Sequence, residues 1–242
     1  MNRGSELLDA ARSAILCRCL YPVLRQRMRR APFPADALHG EVPGPRPLLL
    51  QVIGEATAIG YQTLTADLTI GARLARGMAL QSGRGVRWEA VAASDLTVRT
   101  CPALPREHAR IREADVVVVL LGIGDALRRT PRHVWRTGLT ELLAELHGSL
   151  APSAVILVAE IPPLETSPET PSSVARRVGR YAEALNTVTR DVVVSIPTAV
   201  SIPFPTSAVH AFQTPDGQDT LYGRVYGAWA AVMVGPALGD RP

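Results

Sequence analysis

Five carboxylates stand where this chain could do chemistry. Glu55, Asp95 and Asp125 each follow an apolar run of strand length, and Asp216 and Asp219 precede the last helical stretch. Such positions matter because open α/β sheets bind ligands beyond the carboxyl ends of their strands. Carboxylates gathered at one pocket mouth raise one another's pKa, so one can stay protonated while another is ionised. That combination suits dehydration, cyclisation or water activation, none of which needs a nucleophilic side chain. The plainer reading is that each acid, taken singly, bonds to its own loop or faces water. Thr57, Ser94 and His210 are the candidates for hydroxyl or imidazole chemistry, whereas His39, His108, His133 and His147 fall in helical or connecting segments.

The elements that would position these residues alternate along the chain. Apolar runs of strand length cover 48–53, 87–92, 115–121, 154–159 and 192–197, several of them continuous, as in strands buried on both faces of a parallel sheet. Helical stretches lie between them at about 63–82, 133–148 and 171–188, with a last one at about 220–234. This order predicts a three-layer α/β/α domain around a five-stranded, parallel, doubly wound sheet of flavodoxin-like type, spanning 48–236. Trp88 fits a strand, and Trp135 and Trp229 fit the apolar faces of helices, as core residues do. Pro162 and Pro163 open a Pro/Ser/Thr-rich loop, 162–173, whose Thr166 to Ser173 stretch could form a flexible lid.

Ahead of that domain, residues 1–31 read as a basic amphipathic helix and 32–47 as a Pro-rich connector. The helix would pack on the domain, or offer a protein or membrane-surface contact through Ile15 to Leu24. Pro22 should kink it. All 26 basic residues are arginine and the net charge is +4, spread along the chain, which gives no nucleic-acid footprint. Acidic and basic residues interrupt any signal-peptide core at the N-terminus, and no run approaches the roughly 18 apolar residues of a membrane span. Cys17, Cys19 and Cys101 are odd in number and lack metal-ligand spacing, so a reduced, cytoplasmic protein with no metal and no cofactor is expected.

Four short blocks, in order, resemble the SGNH (GDSL-type) esterases and acyltransferases over about residues 30–235. The family's Gly-Asp-Ser corresponds to Gly54-Glu55-Ala56; the segment carrying its oxyanion glycine corresponds to Ala92 through Thr97, with Asp95 at the glycine; its Gly-X-Asn-Asp corresponds to Gly122-Ile123-Gly124-Asp125; and its Asp-X-X-His corresponds to Asp216-Gly217-Gln218-Asp219, with Thr220 an alternative match for the histidine. The resemblance thus places Ala56, Asp95, Gly124 and Asp219 where the family's serine, glycine, asparagine and histidine stand. An alanine methyl cannot attack a carbonyl, a glycine has no side chain to donate, and a carboxylate would repel a developing oxyanion. Loss of the base alone would leave a Ser-His-Asp mechanism with little activity.

Three functions compete on these residues. One is a small-molecule pocket, lined at Ala56, Thr57, Ser94 and Gly124, that binds an acyl or related ligand or works by carboxylate acid–base chemistry. Another is residual ester hydrolysis or acyl transfer with a non-standard site. The last is a scaffold or interaction pseudoenzyme that has kept only the fold.

Overall fold

The computed structural model describes residues 21–22, 25–26, 30–213 and 218–240, with side chains 211–220 left aside. The N-terminal helix read over 1–31, and its apolar face, therefore lie almost wholly outside the described residues.

The central strand explains the architecture. β4 (Val116–Leu120) is four valines and a leucine, and every one is buried. Its side chains alternate between two cores: Val117 and Val119 face one, and Val116, Val118 and Leu120 the other. Burying each valine contributes about 1.5–3 kcal/mol, and only a strand covered on both sides can bury them all. β2 (Leu48–Gly54) pairs with β4 on one side and with β3 (Val86–Ala92) on the other, in parallel. β5 (Val155–Ala159) and β6 (Ala199–Ile202) continue the parallel ladder, and β1 (His39–Val42) closes the far edge against β3 in antiparallel fashion. The full order is β1-β3-β2-β4-β5-β6.

Short helices α1 (Ala56–Ile59), α3 (Leu104–Glu107), α4 (Ala109–Arg112) and α5 (Ile123–Arg128) occupy the connections. α2 (Ile70–Ser82) and α9 (Gln218–Ala237) cover one face of the sheet, and α6 (Arg132–Ser149) and α7 (Ser172–Val193) the other. α8 (Thr206–Gln213) precedes α9. The α/β/α fold is therefore as the sequence indicates.

Two elements differ from the sequence reading. The run 192–197 is not a strand. Leu185, Val188, Thr189, Val192 and Val193 form one buried stripe, so helical spacing carries α7 through Val193 and overrides the β-branched propensity there. The strand is instead β6. The expected five parallel strands also gain a sixth, because part of the Pro-rich connector folds back as β1. That antiparallel strand covers the open edge of β3, an edge that would otherwise invite pairing with another chain.

Candidate functional site

β2 ends at Gly54, and the chain turns at once into α1, with the Glu55 N–H donating to the Leu120 carbonyl at 3.1 Å. Glu55 occupies the N-cap position of α1 but makes no side-chain cap there. Its carboxylate crosses to the start of α5, where Oε1 accepts from the Ile123 N–H at 2.6 Å and Oε2 from the Gly124 N–H at 2.9 Å. It thereby ties the loop after β4 to the loop after β2. Glu55 is 2% exposed, and burial pushes its pKa up to about 7, with Asp125 adding to the rise and the two N–H donors and Arg128 opposing it.

This shift carries a stability prediction. The folded state holds the Glu55 proton more tightly than the unfolded chain, where the ordinary value of 4.5 applies. The Glu55 contribution is therefore greatest below pH 4.5, falls as pH rises, and levels off above about pH 7, for a total of about 3 kcal/mol. Chemical denaturation at pH 4.5 and pH 8 should show that fall for the native protein, and Glu55→Gln should flatten it.

Asp125, one residue past Gly124, is likewise buried and occupied. Oδ2 accepts from the Val98 N–H at 3.1 Å and Oδ1 from the Thr130 hydroxyl at 2.6 Å, with the Arg128 guanidinium 3.6 Å away. It fixes the loop after β3 to the loop after β4. Asp95 faces solvent and pairs with Arg25 at 3.3 Å, a surface contact worth at most about 1 kcal/mol. Ser94 beside it is also exposed, as is His210 on α8. Asp216 lies outside the described residues; Asp219 falls in the first turn of α9, its side chain also outside them. Glu55, Ala56, Thr57, Gly124 and Asp125 are thus gathered at one place, and Ser94 and Asp95 are exposed on the loop after β3.

Gly124 leaves no room for a side chain as the site stands. A Cβ there would lie 2.7 Å from Glu55 Oε2 and 3.1 Å from Arg128 Nη2. Cys101, in the same neighbourhood, is a poor nucleophile, because burial pushes its thiol up to about 12.

Over Ala56 lies a cavity of about 100 Å³. Its walls come from the loops after β2 (Ala56, Thr57, Tyr61), β4 (Ile123, Leu127), β5 (Pro162, Pro163, Leu164) and β6 (Phe204), closed by Tyr222, Val225, Tyr226 and Trp229 of α9. Ser167, Glu169 and Thr170 of the Pro/Ser/Thr-rich loop border it as well. The lining is mainly aliphatic and aromatic. Tyr61 and Tyr222 meet edge to face at 5.4 Å, as do Phe204 and Trp229 at 4.9 Å, and the Tyr226 hydroxyl donates to the Tyr61 carbonyl at 2.8 Å. Burial raises the pKa of Tyr61, Tyr222 and Tyr226, so all three stay neutral.

Sequence reasoning missed these tyrosines; Trp229, expected as a core residue, is buried in the core and also borders the cavity. The signal available was the spacing of Tyr222, Tyr226 and Trp229 along one face of the last helix. Glu160, the last residue before Ile161-Pro162, is held by Arg190 through two bonds of 2.7 Å and by the Ser201 hydroxyl at 3.0 Å. No group of three or more metal-ligating side chains gathers among the described residues, and no helix there is long and apolar enough to cross a membrane.

A parallel sheet with helices on both faces, and a cavity built by the loops at the carboxyl ends of its strands, define the class: an open, doubly wound α/β/α domain. The family follows from the sequence. The profile of the GDSL-like Lipase/Acylhydrolase family matches residues 52–222, and the chain belongs to that family. Solved structures agree on the fold. The chain is similar to the lipase Lip_vut3 from a goat rumen metagenome, at 14% identity and TM-score 0.58, over 79% of this chain and 98% of that one. It is also similar to a catalytic mutant of the acetylxylan esterase Axe2 from Geobacillus stearothermophilus, at 16% identity and TM-score 0.56, over 82% and 95%. A third similar structure is LAE5, an alpha/beta hydrolase enzyme from the metagenome of Lake Arreo, Spain, at 15% identity and TM-score 0.54, over 83% and 99%. No curated protein matches.

Proposed function

We propose that this GDSL-family chain uses its pocket to bind a small acyl-type molecule and does not hydrolyse it by a serine mechanism. The observation that carries this reading is the pocket floor. Where β2 turns into α1, the position of the family's serine is held by Ala56, 2% exposed, which borders the cavity and offers a methyl group. Three further features support the reading. The walls suit an apolar acyl chain. The space that an oxyanion-binding side chain at position 124 would occupy is taken by Glu55 and Arg128. Glu55 and Asp125 spend their oxygens on the loops instead of converging on a point in the cavity.

A second reading, acid–base chemistry by carboxylates, draws on the raised pKa of Glu55 close to the cavity. Both readings meet one assay: hydrolysis of p-nitrophenyl acetate and butyrate by the purified protein beside Asp216→Asn and Asp219→Asn. The binding reading expects all three at the rate of the buffer blank. Turnover well above the blank that both substitutions abolish would assign the pocket to carboxylate chemistry.

A further inference from the structure

Granting the pocket reading above, on which this rests, we infer that the ligand is a short, uncharged carbonyl compound whose oxygen is received by the Trp229 indole N–H and the Thr57 hydroxyl.

Trp229 is 3% exposed, and its Nε1 is buried with no hydrogen-bond partner among the described residues. Trp135 shows the ordinary arrangement: it too is buried, and its Nε1 donates to the Thr189 hydroxyl at 3.0 Å. An indole N–H is a donor only, so leaving one unpaired in an apolar wall has a cost that an incoming acceptor would remove. Thr57 supplies a second available group. It is 8% exposed, and its hydroxyl makes no hydrogen bond among the described residues, whereas the buried hydroxyls of Thr63, Thr69, Thr130 and Thr189 all do.

Both residues border the main cavity and also a small void beside it, of about 10 Å³, which they share with Glu55 and Glu160. A void of that size takes one oxygen-sized atom and little more. The surroundings then select the chemistry. A group that receives donors must be an acceptor, and the nearby Glu55, together with Glu169 at the rim, disfavours a second anion. Glu160 is already matched by Arg190. A neutral carbonyl oxygen fits these conditions, and a free carboxylate does not. The main cavity, at about 100 Å³, is smaller than the roughly 150 Å³ that holds benzene, so the part of the attached chain that it takes in is a few carbons long.

The test uses shape-matched probes: 2-pentanone, n-pentane and the butyrate anion. The readout is the indole region of the nitrogen-15 spectrum, where the full chain gives signals from three tryptophans and Trp229→Phe identifies the one that matters. The expected result is that 2-pentanone binds about tenfold more tightly than pentane and moves the Trp229 indole signal, while butyrate binds weakest. Thr57→Val, which keeps the shape and removes only the hydroxyl, should reduce the ketone preference severalfold and leave pentane binding unchanged; it stays informative should Trp229→Phe fold poorly. Equal binding of ketone and alkane with no indole shift would overturn the assignment of these two donors and leave the pocket reading standing. Butyrate binding more tightly than the ketone would overturn the neutral-ligand assignment. No binding by any probe would overturn the pocket reading itself.

Discussion

A single methyl group added at Gly54 should leave little or no folded protein. In Gly54→Ala the new Cβ would sit 2.2 Å from the Leu120 carbonyl oxygen and 2.9 Å from the Leu120 carbonyl carbon and Cβ. Neither partner can retreat cheaply. Gly54 is in register with Leu120 on one side and Ala92 on the other, at the centre of the sheet, and the Leu120 oxygen is also held by the Glu55 N–H. Relief would require β2 and β4 to separate where both are completely buried, so the expected loss is on the order of 4 kcal/mol or more, above the usual range for overpacking by side chains. Expression in the soluble fraction followed by thermal denaturation checks this. A soluble variant within a few degrees of the native midpoint would mean that the two strands sit further apart than described.

The second large effect is at Asp125. Asp125→Ala should destabilise the protein by about 3–5 kcal/mol, read from urea denaturation. The substitution strands three groups together: the Val98 N–H, the Thr130 hydroxyl and the Arg128 guanidinium, whose Nη2 is already buried without a hydrogen bond. Asp125→Asn keeps one acceptor oxygen and should cost less than half as much. Equal losses in the two variants would show that the charge facing Arg128, and not the acceptors for Val98 and Thr130, is what matters. Asp95→Ala, by contrast, removes a surface pair with Arg25 and should change stability by at most about 1 kcal/mol.

This contrast between Asp125 and Asp95 also shows what the sequence could reveal. Strands covered on both faces announce themselves as near-continuous apolar runs, so β2, β4 and β5 were legible within a residue or two. β1 was not, because His39-Gly40-Glu41-Val42 is an edge strand whose only requirement is backbone pairing with β3. The run at 192–197 misleads because a helix continuing its buried stripe uses the same valines that a strand would.

For the site, the blocks at Gly54, Gly122 and the Pro162-Pro163 loop pointed to the right end of the sheet. Which acids are buried was not legible, since Glu55 and Asp125 are tied in by backbone N–H groups tens of residues away, at Ile123, Gly124 and Val98, besides the nearby Thr130 and Arg128 of Asp125. Aromatic residues along one face of a helix look the same whether they fill a core or line a cavity. The cavity beside Tyr222, Tyr226 and Trp229 is a property of the fold.

The most direct test of the account is one proton NMR experiment with ethyl butyrate in excess over the purified protein. Saturation transferred from protein to ester reports binding, and the appearance of free ethanol and butyrate reports hydrolysis. A pocket that binds a short acyl compound above an alanine floor predicts saturation transfer to the ester, its loss when 2-pentanone is added as competitor, and no product beyond the protein-free blank. Ethanol and butyrate formed at a rate proportional to protein concentration would contradict the account and show a working acyl hydrolase built without a serine at position 56.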